Sequence, residues 1–389
     1  MSTTVPAWTS RTRLGKQLTR NALGLAAFAL ASSVLATPGP SQPAQPRTPE
    51  PNPSHVQVVV VALDGARYRE IFGGVDQKLA AEQGSVSSSV SNPAELMPNL
   101  HRLMSDDGAG LGAPGHGRTL SASGPQFLSL PGYSEIFSGR RVTGCADNAC
   151  QGTATGSIAD ELAEAPRGWK SAVVTSWPDI ARVAARSERV SVSAGRHAGA
   201  TRSHFERNDA ARAALRRAEG EAPWPGNGDF RRDRFTAELS LAYLRAEQPE
   251  FLFVGLGETD EFAHQGNYAG YLGALREADQ YLGLLAAELE ARAGRGVRTA
   301  LFVTADHGRA ATFKDHGQQF PESARVWLVA SGRAIGARGL VASPVERRLA
   351  DITPTVRALF GLPADRHESA GFPLWELLRP TPGQQEASL

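Results

Sequence analysis

The sequence predicts an α/β fold in which helices cover both faces of a mainly parallel central sheet. Three apolar, β-prone runs, at residues 55–63, 250–257 and 299–303, are typical of parallel strands that are buried on both faces. Helix-like stretches lie between them, and this alternation favours a layered domain. Because ligands bind beside the carboxyl ends of the strands in such sheets, the polar residues that follow each run are candidates for a functional site.

Length and composition agree with this fold class. The chain has 389 residues, a net charge of +1 and 41% hydrophobic residues, which suits one large α/β domain with insertions or two domains. The charge balance gives no reason to expect binding to nucleic acid or to an anionic membrane. Basic runs at residues 212–217 and 231–234 lie on helix-like stretches with acids nearby, so we interpret them as solvated helix faces.

The N-terminus has the pattern of an export signal. Four basic residues between positions 11 and 20 precede an apolar stretch at 22–36, and Val34 and Ala36 supply the −3 and −1 positions of a cleavage site. We therefore predict a signal peptide (1–36), a disordered Pro-rich linker (37–54), a catalytic domain (55–380), a flexible tail (381–389) and a periplasmic or secreted mature protein without a membrane span. An uncleaved anchor is the alternative, although the stretch is short for a membrane span.

The first predicted strand ends at Asp64 and Gly65. An acid at this point is a candidate ligand in the crevice, and the alternative is a cap for the helical turn that follows. Further along, leucines at helical spacing predict a helix over residues 93–107.

Ser129 ends an extended segment and precedes a predicted helix that reaches Ser138. Pro131 fits the first turn of that helix. Backbone N–H groups and the helix dipole favour an anion there, so Ser129 is a candidate nucleophile toward a phosphoryl group. The alternative is that Ser129 caps the helix.

The chain has two cysteines, Cys145 and Cys150, in one polar loop. In an exported protein this spacing favours a local disulfide. Two free thiols or a metal-binding pair are the alternatives.

The middle of the chain adds further elements. We predict helices over 158–165, 230–247 and 268–292, and strands over 170–176, 188–193 and 325–330. Weak periodicity with many Gly, Arg and Asn residues over 194–228 indicates an insertion or cap over the crevice, within about 140–228. The segment that begins at Asp351 predicts a last helix, which Gly361 and Pro363 end.

The other two strand ends carry acids and histidines. Asp260 and His264 lie four residues apart after the second run, so one helical turn places them on the same face. Asp306 and His307 follow the third run directly, and they share a site only if the chain turns there, which Gly308 permits. The alternatives are a helix-capping Asp and chance surface histidines.

His316 lies in the loop that follows these residues. Three carboxylates, three histidines and one serine suit two divalent cations of borderline softness, and zinc fits best.

These pieces, in this order, are similar to the alkaline phosphatase superfamily, nearest to its type I phosphodiesterase/nucleotide pyrophosphatase and related bacterial phosphatase-like members. The matching pieces are Val-Ala-Leu-Asp64-Gly, Ser129-Leu-Pro-Gly-Tyr, Gly-Glu-Thr-Asp260-x-x-x-His264, Thr-Ala-Asp306-His307-Gly and His316. Asp351-Ile-Thr-Pro-Thr also resembles the superfamily's C-terminal helix. The resemblance spans about residues 56–378 and implies a three-layer sandwich.

The resemblance also implies roles for these residues. One metal would be held by Asp260, His264 and His316, and the other by Asp64, Asp306 and His307. Ser129 would attack a small-molecule phosphate ester beside the second metal and form a phosphoseryl intermediate. The expected activity is that of an exported phosphatase or phosphodiesterase.

Two departures from the resemblance bear on the substrate. Gly132 occupies the position of an Asn in the pyrophosphatases, so that side-chain contact to phosphate is missing and the Gly132 N–H is a possible substitute. Tyr133 occupies the position of the sulfatase Arg, which argues against sulfatase activity. A sulfatase or phosphonate hydrolase, and a non-catalytic metal-stabilised binding protein, remain the alternatives. Arg67, Arg309 and Lys314 are either phosphate contacts or surface or supporting residues.

Overall fold

Strands and helices alternate along most of the chain, as the sequence predicts. The computed structural model describes residues 56–82, 92–151, 156–197, 201–202, 205–222 and 228–380. These residues belong to one compact unit, Pro51–Leu389. The predicted signal peptide, linker and tail lie outside the described residues.

Twelve strands are present in the described part of the chain. They are β1 (Val56–Leu63), β2 (Gly108–Leu111), β3 (Leu120–Ser121), β4 (Ser171–Thr175), β5 (Ser191–Ala194), β6 (Thr201–Arg202), β7 (Phe251–Leu256), β8 (Arg298–Thr304), β9 (Arg325–Val326), β10 (Leu328–Ser331), β11 (Gly339–Leu340) and β12 (Arg347–Arg348).

Twelve α-helices accompany these strands in the same described ranges. They are α1 (Tyr68–Gly73), α2 (Gln77–Glu82), α3 (Pro93–Leu96), α4 (Pro98–Ser105), α5 (Ser129–Ser138), α6 (Ile158–Glu164), α7 (Ala181–Ala184), α8 (Asp209–Gly220), α9 (Asp233–Glu247), α10 (Glu258–His264), α11 (Tyr268–Ala293) and α12 (Ile352–Phe360). None of these helices is long and apolar enough to cross a membrane.

Nine strands form the central sheet, in the order β11-β2-β10-β8-β1-β7-β4-β5-β6. The five strands from β8 to β5 in that order run parallel. The neighbours β10 and β6 are antiparallel to them. Helices α4, α9 and α11 pack together on the sheet, as do α5, α6 and α12. The predicted α/β class, with a mainly parallel sheet flanked by helices, is confirmed.

The central position of β1 brings the site residues together. Every residue of β1 is buried, because the strand lies between β7 and β8 and beneath helices. In the register of the sheet, Leu63 pairs with Leu256, and Ala62 pairs with Thr304. The three strands therefore end level with one another, and the residues that follow them emerge at one edge.

Two predicted elements are each divided in the structure. The helix predicted over 93–107 is two helices, α3 and α4, because Pro98 disfavours helical geometry at Met97, whose φ and ψ are −133° and 69°. The strand predicted over 325–330 is divided at the buried Trp327 into β9 and β10. These two strands belong to different sheets, since β9 pairs with β3 and β10 with β8 and β2.

The region predicted to hold a cap also contributes to the core of the fold. Strands β4 and β5 lie within 140–228 and belong to the central sheet. The strand predicted over 188–193 begins only at Ser191, because a turn joins the Val190 N–H to the Ser187 carbonyl. Between residues 194 and 228, the described elements are β6, a short 3-10 turn at Phe205–Arg207 and α8, which packs on α9.

Candidate metal and nucleophile site

Three adjacent strand ends deliver the acids of the site. Asp64 follows β1, Asp260 lies on α10 directly after β7, and Asp306 follows β8. The Gly65 N–H donates to Asp306 Oδ1 at 3.0 Å, and the Thr259 hydroxyl donates to the Asp64 carbonyl at 2.5 Å. These two bonds join the three ends, so that the carboxylates converge on one crevice.

Gly308 allows the chain to leave the sheet after Asp306 and His307. Its N–H donates to the Ser323 carbonyl at 2.7 Å, and a Cβ at this position would overlap the Arg325 carbonyl oxygen. The glycine is therefore needed for a close backbone approach. The chain bends at Asp306, and both side chains reach the same site.

The inner set consists of Asp64, Asp306 and His307, whose ligand atoms lie within 4.8 Å of one another. His307 Nε2 lies 3.4 Å from Asp64 Oδ1 and 3.5 Å from Asp306 Oδ2. Ser129 Oγ lies 3.3 Å from His307 Nε2 and 3.5 Å from Asp64 Oδ1. The structure thus places Ser129 beside the inner set, as the resemblance implies.

The outer set consists of Asp260, His264 and His316. His264 Nε2 lies 3.0 Å from Asp260 Oδ2 and 3.1 Å from His316 Nε2. His316 Nε2 is 3.8 Å from Asp260 Oδ1, and the cluster within 4.8 Å at this position is Asp260, His307 and His316, which His264 joins through its contacts with Asp260 and His316. All six predicted ligands therefore lie in one continuous cluster, with His307 between the two sets.

Backbone carbonyls orient two of the three histidines. Nδ1 of His307 lies 2.9 Å from the Gly308 carbonyl oxygen, and Nδ1 of His316 lies 2.9 Å from that of Phe127. Each Nδ1 therefore carries the proton, and each Nε2 presents a lone pair to the cluster. Burial lowers the pKa of His307 to about 4 and that of His316 to about 3, which keeps both rings neutral, as metal ligands must be.

Burial opposes the ionisation of the three carboxyl groups in the site. Burial, and then the charge of Asp260, raises the pKa of Asp64 to about 7. Burial and the charge of Asp64 raise the pKa of Asp306 well above its usual value. Burial also acts to raise the pKa of Asp260, but Arg309 and the neighbouring histidines outweigh it and hold that pKa well below its usual value. Cations placed among these groups would remove the cost of their ionisation.

The donor set fits a pair of divalent cations. Asp306 Oδ2 is buried and has no hydrogen-bond partner among the described residues, so it is free to bind a cation. Imidazole nitrogens and carboxylate oxygens, as present here, are suitable zinc ligands. The residues therefore fit divalent cations, and three protein ligands at each position would leave room for water or substrate.

Ser129 does not act as the helix cap that was its alternative interpretation. Leu128 occupies the capping position of α5, and no side chain of the helix makes the cap bond. Instead, the Leu130 N–H donates to Asn148 Oδ1 at 3.0 Å. Asn148 belongs to the loop that the Cys145–Cys150 disulfide closes, so the predicted disulfide is present in the loop that reaches the start of α5.

Asn148 is a functional candidate that the sequence interpretation missed. The loop reads Gly144-Cys-Ala-Asp-Asn-Ala-Cys150, and a polar amide inside a closed loop was the available signal. Nothing in the spacing shows that this loop packs against the start of α5. Arg182 fixes the loop further, donating to the Asn148 and Ala149 carbonyls.

The possible role of the Gly132 N–H as a substitute phosphate donor is wrong. This N–H donates to the Leu128 carbonyl at 3.0 Å, within the first turn of α5. Packing requires a glycine at this position, because a Cβ at Gly132 would overlap the Asp306 carbonyl oxygen. Tyr133 is fully buried, and its hydroxyl donates to Asp64 Oδ2 at 3.1 Å, so it orients a carboxylate of the inner set.

The three basic candidates have different surroundings. Arg67 is buried and paired with Glu70. Arg309 is buried and paired with Asp260, so it contacts the outer set. Lys314 is exposed, and its stem lies against Gly266, where a Cβ would overlap it.

Substitution of Gly65 should displace carboxylates of both the inner and the outer set. Gly65 has φ +58°, and a Cβ there would lie 2.5 Å from Asp260 Oδ1 and 2.8 Å from an Arg309 nitrogen. We expect Gly65→Ala to lower kcat/KM about 100-fold, because displacement of catalytic groups by about 1 Å has effects of this size. Gly73→Ala is the matched control, since a Cβ at Gly73 meets no atom within 4 Å. Equal activity of the two variants would contradict this role for Gly65.

Comparison with known proteins places the chain in a family. The model of the family described as type I phosphodiesterase / nucleotide pyrophosphatase matches residues 86–332. Ser129, Asp260, Asp306 and His316 lie inside this range, and Asp64 precedes it. A search of curated proteins finds no match.

Solved structures share the fold at low sequence identity. The alkaline phosphatase PafA is 12% identical, with 85% of this chain and 100% of PafA covered at a TM-score of 0.54. The phosphonate monoester hydrolase of Agrobacterium radiobacter is 16% identical, with 84% of this chain and 78% of the hydrolase covered at a TM-score of 0.54. A putative sulfatase from Bacteroides thetaiotaomicron is 12% identical, with 82% of this chain and 74% of the sulfatase covered at a TM-score of 0.54. These structures support the alkaline-phosphatase-like fold.

Proposed function

Because this chain belongs to the type I phosphodiesterase/nucleotide pyrophosphatase family, we propose that it hydrolyses phosphoric esters through Ser129 at a two-metal site. The observation that supports this most is the position of Ser129 Oγ, 3.3 Å from His307 Nε2 and 3.5 Å from Asp64 Oδ1. A nucleophile beside a histidine and a carboxylate, at the start of a helix, suits phosphoryl transfer.

Each group of the chain has a defined part in this reaction. Two divalent cations, zinc in this proposal, would supply positive charge to the phosphoryl oxygens and lower the pKa of the Ser129 hydroxyl. Ser129 Oγ releases its proton to solvent and forms a bond to phosphorus while the ester P–O bond breaks, and the leaving oxygen takes a proton from solvent. Water then cleaves the phosphoseryl bond and restores the hydroxyl.

The residues around Ser129 hold this geometry. Tyr133 fixes Asp64, and the Gly65 N–H fixes Asp306. The dipole of α5 points its positive end at the phosphoryl group. The Asn148 amide accepts from the Leu130 N–H through Oδ1, so its NH₂ group is the donor that remains for a phosphoryl oxygen.

Removal of this donor should weaken catalysis. We expect Asn148→Ala to lower kcat by about 100-fold, the usual effect of losing one donor to a developing oxyanion. Asp147→Asn is the control, because Asp147 is exposed in the same loop and its Oδ1 accepts from the Ala149 N–H, as an Asn oxygen also can. Steady-state assays with both variants, after thermal melts show them folded, would reject the role of Asn148 if their rates were equal.

A sulfatase or phosphonate hydrolase is the second candidate, because solved structures of both kinds share the fold. Tyr133 favours the phosphoric ester. It occupies the position where the resemblance places the sulfatase Arg, and its hydroxyl bonds to Asp64 instead. The test is a panel of aryl phosphate monoesters, phosphate diesters, phosphonate monoesters and sulfates, assayed with zinc. Fastest turnover of a sulfate would reject the phosphoric ester proposal.

We also propose that the protein is exported, with cleavage after Ala36. The supporting observation is the basic and apolar pattern of residues 11–36. Mass spectrometry of the exported protein tests this, because an intact Met1 would contradict cleavage.

A further inference from the structure

Arg309 is in contact with the outer set of ligands at several points. Its guanidinium pairs with Asp260 Oδ1, and one of its nitrogens lies 3.5 Å from His264 Nδ1. The same side chain donates to the Phe313 carbonyl at 2.7 Å and to the Lys314 carbonyl, two residues before His316. One buried cation therefore touches two ligands of the outer set and the loop that carries the third.

One ligand of the outer set, His264, has surroundings that differ from those of the other two histidines. His307 and His316 each point Nδ1 at a backbone carbonyl oxygen, which strengthens an imidazole as a ligand. Nδ1 of His264 faces the Arg309 guanidinium instead. In addition, 47% of the His264 side chain is exposed, whereas the His307 side chain is fully buried.

The charged groups around the two sets also favour a cation more strongly in the inner set than in the outer set. In the inner set, neither carboxylate is paired with an arginine of the described residues, and Asp306 Oδ2 has no hydrogen-bond partner among them. In the outer set, the single carboxylate shares one oxygen with Arg309. A positive charge at this distance opposes a second cation in a partly buried site.

We propose that the two metal positions are unequal, with a tightly held cation in the inner set and an exchangeable one in the outer set, and that Arg309 sets this difference. The inference rests on the proposed two-metal function and specifies its regulation. Activity would then follow the free concentration of the metal, because the outer position fills last.

Zinc titration of the metal-free protein against a chromophoric chelator tests the order of binding. We expect two steps in the full chain, with dissociation constants at least about tenfold apart. His264→Ala should retain the tight step, and Asp306→Ala should retain the weak one. Two equal sites, or a tight step that survives Asp306→Ala, would overturn the proposal.

Two substitutions separate the charge of Arg309 from its structural role. Arg309→Gln removes the charge, and we expect the weak step to tighten about tenfold or more. Arg309→Lys keeps the charge, so its weak step should remain weak. A weaker outer site in Arg309→Gln would show that Arg309 only supports the loop, and would overturn its assigned part.

The titration is independent of turnover. Absence of hydrolysis with both positions filled would reject the proposed function and leave the two binding steps intact. A single class of sites in an active enzyme would reject the inequality and leave the proposed function intact. If Arg309→Gln does not fold, His264→Ala and Asp306→Ala still decide the order.

Discussion

Ser129→Ala is expected to lower kcat about 10⁴-fold or more, because the variant has no oxygen with which to attack phosphorus. The fold should be almost unaffected, since among the described residues the Ser129 hydroxyl contacts only His307 and Asp64, at 3.3 Å and 3.5 Å, and the Leu130 N–H at the start of α5 is bonded by Asn148. Metal content should remain at two per chain. The measurement is hydrolysis of an aryl phosphate at saturating zinc, with metal analysis of the same sample.

Ser134→Ala is the matched control for this result. Ser134 lies on the same helix and is buried, but its hydroxyl contacts Cys145 Sγ at 3.8 Å and does not face the inner set. We expect its activity to be close to that of the wild type. Ser129→Thr keeps a hydroxyl and should retain part of the rate. Equal rates for wild type and Ser129→Ala would exclude Ser129 as the nucleophile.

Asp306→Ala is expected to remove the inner cation and to reduce kcat as strongly as loss of Ser129. The substitution removes one inner ligand and the acceptor of the Gly65 N–H at once. Ser129 would keep its position but lose the charge that lowers the pKa of its hydroxyl. The outer set should still bind, so metal analysis at excess zinc should find one cation per chain.

Asp315→Ala provides the comparison for this variant. Asp315 is an exposed acid in the loop that precedes His316, so its removal changes the net charge of the chain by the same amount. We expect two cations and wild-type activity for Asp315→Ala. Two cations in active Asp306→Ala would contradict the assignment of Asp306 to the inner set.

Local patterns in the sequence were sufficient for the main elements of the sheet. The run that becomes β1 is apolar without alternation because both faces of that strand are buried, and the same holds for β7. Element boundaries moved by a few residues where turns decide them, as at Ser191. The division of the 325–330 strand was not predictable, because local sequence does not show which partner strands each half will meet.

The site was predictable to the extent that residue type and position at a strand end determine it. Asp64, Asp260 and Asp306 follow parallel strands, and the parallel register brings the ends of those strands level. Contacts between segments far apart in sequence were not predictable. Asn148 reaches α5 from a disulfide loop, and Gly132 is required because α5 packs against the Asp306 backbone.

Strand β8, which Asp306 and His307 follow, shows most clearly which properties the sequence determines and which depend on the tertiary structure. The sequence by itself determined that this strand is buried, that an acid and an imidazole follow it and that a glycine lets the chain turn. Only the tertiary structure decided that His307 lies between the two ligand sets and that Arg309 faces the outer one. The physical reason is that hydrophobic periodicity is a local property, whereas charge and ligand geometry depend on neighbours that folding brings together.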